Sequence, residues 1–150
     1  MTHPSHIARA QDFDKPRRKA RRNFTPSEHD EQVNLMQWAA HTACTHPELR
    51  LLYAIPNGGQ RHKVTAAKLK AEGVRAGIPD LNLPVPRGTF CGLYIELKRR
   101  QGGRVEPEQR DWLNALEAQG YRTYVCRGWE SARDAILEYL ALPARKRNAA

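Results

Sequence analysis

The chain has 150 residues, with 25 Lys and Arg against 16 Asp and Glu, a formal net charge of +9, and 40% apolar residues. That length predicts one domain burying roughly 70% of its unfolded surface, and no apolar run approaches the roughly 18–20 residues of a membrane span. The polar N-terminus predicts no secretory leader, and Cys44, Cys91 and Cys126 are too widely spaced for a disulfide framework or a CxxC zinc site, which suits reduced thiols in an intracellular, cytoplasmic protein.

Charge is unevenly spread. Residues 1–25 carry seven cations and two acids, Arg145–Arg147 adds three cations, and 15 cations then face 14 acids over 26–144. Basic arms on a nearly neutral domain predict a polyanionic partner bound partly through counterion release. Residues 1–24 lack apolar periodicity and are expected to be disordered until bound. Residues 25–142 are expected to form the domain, and 143–150 a basic tail.

The domain is predicted to open at Thr25-Pro26-Ser27-Glu28, a capping box with Thr25 as cap, Pro26 at the first helical position and Glu28 reaching back. The helix should run to about Ala43, with Val33, Met36, Ala40 and Ala43 facing the core. Leu51–Ile55 reads as a strand stopped by Pro56-Asn57-Gly58-Gly59, and Lys63–Glu72 as a polar-faced helix ended by Gly73. Asp80–Val85 reads as a strand in which Pro84 suits an edge or an irregular position, with a turn at Pro86–Thr89.

Phe90–Lys98 is the clearest strand, with Leu93, Ile95 and Leu97 on one face and Tyr94, Glu96 and Lys98 on the other. Pro107–Gln119 is an amphipathic helix carrying Trp112, Leu113 and Leu116, and Gly120 stops it. Tyr121–Cys126 is a last strand, and Trp129–Leu140 a closing helix with Trp129, Ala132, Ile136 and Leu140 on one stripe. The order α-β-α-β-β-α-β-α predicts an α/β fold, a mixed sheet flanked by helices.

The chemistry concentrates in Gly77-Ile78-Pro79-Asp80 and Ile95-Glu96-Leu97-Lys98. Glu96 and Lys98 share a strand face about 7 Å apart, and folding back at Pro86–Thr89 lets Asp80 reach Glu96. Two carboxylates about 4 Å apart repel by ~1 kcal/mol in water and ~4 kcal/mol at an effective dielectric near 20. A divalent cation removes that repulsion, and carboxylate ligands suit Mg²⁺ or Mn²⁺ rather than Zn²⁺. The chemistry implied is metal-assisted hydrolysis, with Lys98 holding a water or a phosphate.

Taken with Glu31-Gln32, Ile55-Pro56-Asn57-Gly58-Gly59 and Pro107-Glu108-Gln109, these motifs resemble the VRR-NUC (virus-type replication–repair nuclease) family of the PD-(D/E)xK superfamily over about residues 28–140. The resemblance implies a restriction-endonuclease-like core and a divalent-metal nuclease of DNA repair or phages, the host being bacterial in the latter case. By the same resemblance Asp80, Glu96, Leu97 and Glu31 are metal-binding positions, Lys98 is the catalytic lysine, and Gln109 hydrogen-bonds near the site. Glu106 stands where the family often has a Ser or Thr cap.

Asn57-Gly58-Gly59-Gln60-Arg61 is by default a tight turn, but beside a metal site its backbone N–H groups can approach phosphates. It lacks the ending of a nucleotide-binding loop. Arg61, Lys63 and Lys68 on one side and Arg99 and Arg100 on the other make two basic runs flanking the site, expected to contact nucleic-acid backbone. The histidines show no zinc-binding spacing, and the tryptophans sit on helical stripes and read as core or interface rather than base-stacking platforms. Branched DNA such as a Holliday junction or flap is the substrate the family implies, and a two-fold junction favours a homodimer. The competing reading is a non-catalytic basic nucleic-acid-binding protein, in which Asp80 and divalent metal are irrelevant.

Overall fold

A computed structural model describes residues 25–56 and 63–145, so both predicted arms lie almost wholly outside the described residues. Helix α1 (Glu28–Thr42) is capped by Ser27 rather than Thr25. Ser27 Oγ accepts from Asp30 N at 3.1 Å, and Asp30 Oδ2 accepts from Ser27 N at 2.9 Å. The pattern of a hydroxyl followed three residues on by an acid occurs in both frames, and the one realised leaves Pro26 outside the helix and puts Glu28 at its first position. The inward stripe is Glu31, Leu35 and Ala39, continued by Ala43, while Val33 and Ala40 are exposed. A buried glutamate occupies a core position here, which an apolar template passes over.

Pro47 opens a 3-10 turn, Pro47–Leu51, so the first strand shrinks to β1 (Tyr53–Ala54). Helix α2 (Lys63–Ala71) ends as expected at Gly73, whose φ of +95° lets Val74 N donate to Leu69 O at 2.9 Å. The remaining elements are β2 (Leu81–Leu83), β3 (Leu93–Lys98), α3 (Pro107–Ala118), β4 (Arg122–Arg127) and α4 (Trp129–Ala141).

The sheet order is β1-β2-β3-β4, antiparallel at the first two junctions and parallel between β3 and β4. Strand β2 is therefore internal, and of the two positions that suit Pro84 the irregular one is realised. That proline falls just past the strand end, where its missing N–H breaks no ladder bond. Pairing of Leu81 with Ile95 and Leu83 with Leu93 puts these side chains on one face, with Leu97 and its β4 partner Cys126. Helices α1 and α4 cover that face with Leu35, Ala39, Ala132, Ile136 and Tyr139, all nearly inaccessible to solvent. Tyr139 also donates its hydroxyl to Val85 O at 2.6 Å, so the core's largest ring leaves no polar atom stranded.

The other face carries Asn82, Tyr94, Glu96 and Lys98. Helix α3 packs on its β4 side, where Thr123 donates to Glu117, and reaches β3 through Gln109. One face of the sheet is sealed by hydrophobic burial, and the opposite one buries the polar side chains Asn82, Glu96 and Lys98.

Candidate active site

Strand β3 delivers Glu96 and Lys98, and the loop before β2 delivers Asp80. That loop must rest on the start of α3, and a Cβ at Gly77 would stand 2.8 Å from the backbone of Glu108. Gly77 also has φ of +79°, so both the close approach and the turn require glycine. The next residues are pinned by burial of Pro79 and by Ile55 N donating to Asp80 O at 2.7 Å. Asp80 Oδ2 in turn accepts from Leu97 N at 2.8 Å, which holds its carboxylate against β3 between Glu96 and Lys98. The structure thus brings Asp80, Glu96, Leu97 and Lys98 together.

Glu96 is wholly buried. Its Oε1 accepts from Lys98 Nζ at 2.7 Å and from Gln109 Nε2, whereas its Oε2 is buried with no hydrogen-bond partner. Burial pushes the Glu96 carboxyl up to about 7; the Lys98 hydrogen bond opposes the rise, and the negative charges of Asp80 and Glu28 add to it. Burial pulls Lys98 the other way, but its bond to Glu96 and the charges of Glu96, Glu28 and Asp80 outweigh burial and raise it above the ordinary lysine value. Lys98 is accordingly an ammonium throughout the neutral range.

Gln109 is held for its role. As the third residue of α3 it accepts from Glu106 N at 2.9 Å through Oε1, which turns its NH₂ toward Glu96. Glu106 therefore serves as the cap position despite being neither Ser nor Thr.

An orphaned buried carboxylate oxygen beside a second carboxylate fits a hard divalent cation. Mg²⁺ and Mn²⁺ prefer oxygen ligands, and Mg²⁺ keeps several of its waters, so it needs only one or two protein carboxylates. Among the described residues no group of three or more His, Cys, Asp or Glu is arranged to hold a metal ion.

Glu31, expected to complete the site, has both carboxylate oxygens engaged by other partners. Its Oε1 pairs with Arg100 Nε at 2.8 Å, and its Oε2 accepts from Trp129 N at 2.9 Å at the start of α4. The α1 acid whose charge reaches Glu96 and Lys98 is Glu28, one turn earlier, at the position expected to close the cap. Its placement at the first position of a helix entering the site was the available signal.

The basic flanks divide similarly. Arg99 is exposed, whereas Arg100 is neutralised by Glu31 and by Glu130 at 2.5 Å, which hold its guanidinium well above the ordinary arginine value. Lys68 is largely exposed and pairs loosely with Glu72 at 3.8 Å. Asn57, Gly58, Gly59 and Arg61, and the side chain of Lys63, lie outside the described residues.

Fold and site define an α/β protein with an Asp/Glu/Lys centre on the open face of a mixed sheet. The VRR-NUC domain model matches residues 15–130, and the chain belongs to that family. It is thereby a member of a nuclease family, with nucleic acid as its substrate class. The chain is also similar to a solved structure of a VRR-NUC domain protein, at 28% identity and a TM-score of 0.70 over 81% of this chain and 93% of the other. Comparison with curated proteins gave no match. No helix among the described residues is long and apolar enough to cross a membrane.

Proposed function

We propose that the protein is a Mg²⁺- or Mn²⁺-dependent endodeoxyribonuclease that hydrolyses phosphodiester bonds in branched DNA, a Holliday junction or a flap, as a homodimer in phage-type replication, recombination or repair. The observation that carries this is Glu96 Oε2, a buried carboxylate oxygen without a partner beside Asp80. Leaving such an atom unsatisfied costs on the order of 1–3 kcal/mol or more, and a cation or a proton removes the penalty.

Asp80 and Glu96 would hold the ion, with Glu28 adding negative potential and Gln109 fixing Glu96 Oε1. When bound, Mg²⁺ or Mn²⁺ supplies Lewis-acid stabilisation of charge on a phosphate and a lowered pKa for water. Lys98, kept protonated by its acidic neighbours, cannot accept a proton. Its Nζ, 2.7 Å from Glu96 Oε1, instead orients a water or phosphate oxygen by donating to it and balances developing negative charge. Arg99 and Lys68 offer exposed cations for backbone phosphates, which position DNA without reading its sequence. Selectivity for shape rather than sequence follows, and two-fold junctions call for two copies.

The test is a panel of linear, flap and four-way DNA with and without Mg²⁺. Cutting of branched substrates only with metal is expected, and Asp80→Ala should abolish it while retaining DNA binding. Binding without cleavage of any substrate in Mg²⁺ or Mn²⁺ would leave only a basic nucleic-acid-binding protein.

A further inference from the structure

We propose that Tyr53, Tyr94 and Tyr121 form a stacking floor for an unpaired nucleobase beside the carboxylates, so that the preferred substrate carries an unpaired nucleotide next to the bond presented to Asp80 and Glu96. The inference deepens the nuclease reading and rests on it.

Strand register places the floor. Tyr53 pairs with Asn82, and Asn82 with Tyr94, so all three side chains lie on the face that carries Glu96. Tyr121, the residue before β4, meets Tyr94 edge to face, with ring centroids 5.2 Å apart and planes at 78°. Glycine at position 92 gives Tyr121 its bed, since a Cβ there would lie 3.3 Å from the ring. Between the rings Asn82 is sealed from solvent and donates Nδ2 to Leu93 O at 3.2 Å, so its own polar group is satisfied and makes no demand on the surface. The phenols are close enough to act on one another: burial first, then Tyr121 and Tyr53, push the Tyr94 hydroxyl above its ordinary value.

Tyr53 distinguishes this row from ordinary packing. It is 49% exposed on a two-residue edge strand, an aromatic side chain half in water. Tyr94 precedes Glu96 by two residues, about 7 Å along the strand, which corresponds to about two base-stacking steps of 3.4 Å. A strand whose phosphate lies at the carboxylates therefore carries a neighbouring base over the tyrosines. A base inside a duplex is already stacked on both sides, whereas an unpaired one exposes its face to the ring. Stacking tolerates any base, which suits recognition by shape.

The experiment uses the full chain in chelator, so that binding is read apart from cleavage. The probe is flap DNA with 2-aminopurine as the unpaired base at the branch, whose fluorescence is quenched on stacking. Wild type and Tyr53→Phe are expected to quench it. Tyr53→Ala should lose the quench and bind the flap about 5- to 150-fold more weakly, with linear-duplex affinity unchanged. Tyr53 is half-exposed at an edge, and a circular dichroism spectrum matching wild type verifies that the variant folds. Wild-type binding without quenching, full quenching by Tyr53→Ala, or an equal loss on linear duplex overturns the stacking floor. Cleavage of the same DNA in Mg²⁺, measured separately, reports on the nuclease reading alone.

Discussion

Two glutamates among the described residues are fully buried, and the fold treats them in opposite ways. Glu31, under α1, has both oxygens matched: Arg100 takes one and the first N–H of α4 takes the other, so a single carboxylate ties α1, the segment after β3 and the start of α4 together. Glu96, on the open face of the sheet, has two donors crowded onto Oε1 and none on Oε2. A carboxylate that serves the structure is completed by the chain, because an incomplete one is a liability in low dielectric. A carboxylate left incomplete at zero exposure marks where something from outside the chain is to complete it. Burial alone does not separate structural from functional acids, whereas the count of satisfied oxygens does.

Removing each acid should break the comparison in its own way, and the largest effect is on activity. Asp80→Asn, which keeps an oxygen to accept from Leu97 N, should lower the cleavage rate by ~10²–10³ or more, the scale of losing one transition-state contact in a dry site, with a melting temperature close to wild type. Glu31→Ala should do the reverse. It strands a buried N–H and unpairs Arg100, and removing one partner of a buried pair costs about 3–5 kcal/mol. Because the Arg100 side chain is 44% exposed and can rehydrate, about 2–3 kcal/mol is the better expectation. That corresponds to a melting temperature lower by roughly 4–12 °C. Retained metal-dependent cutting below the new melting point would place Glu31 outside the chemistry. Full stability together with loss of cutting would return it to the site.

The next effect is on pH dependence. Glu96 titrates near 7 in the folded chain against 4.5 as its unperturbed value. The folded state therefore binds the proton more tightly than the unfolded state, so the contribution of Glu96 to metal-free stability is fully present below about 4.5 and is lost as pH rises through about 7. The full shift, in which the Lys98 hydrogen bond is already included, corresponds to on the order of 3 kcal/mol. In chelator, wild type should lose stability between pH 5 and 7, and Glu96→Gln should lose less, as thermal melts across that range would show. Equal slopes would mean that burial does not disfavour the Glu96 charge. Added Mg²⁺ should flatten the wild-type slope, since a cation replaces the proton.

What was legible in the sequence follows from the same physics. The period of two leaves a strand no freedom, so the pairing of Glu96 with Lys98 on one face of β3 could be read directly, and the observed face agrees. The choice between Glu28 and Glu31 could not. They lie one turn apart on a helix, and what decides their roles is Arg100, 69 residues beyond Glu31. A local pattern does not contain a partner that distant. The β1 strand was misjudged for a local reason: Pro47 fixes a 3-10 turn that consumes Leu51, and apolarity alone reads as extended chain. The Gly77 motif was visible as a string, but its meaning, a glycine pressed against Glu108, needed α3 in place.

The smallest effect concerns the neighbouring arginines that leave β3. In sequence Arg99 and Arg100 are equivalent cations in one basic run, yet only one is electrostatically available. Arg99 is exposed, whereas Arg100 faces a buried and a half-exposed carboxylate, which cancel its charge toward any approaching phosphate. Each phosphate contact contributes ~0.9 to the slope of log affinity against log salt on duplex DNA. Arg99→Ala should therefore reduce that slope by about one contact and leave the melting temperature unchanged. Arg100→Ala should leave the slope nearly intact and lower the melting temperature, because it strands Glu31. Salt titrations of both variants in chelator decide this. A reduced slope for Arg100→Ala would mean that DNA draws the guanidinium away from Glu31, and the carboxylate completed by the fold would then itself be part of the binding surface.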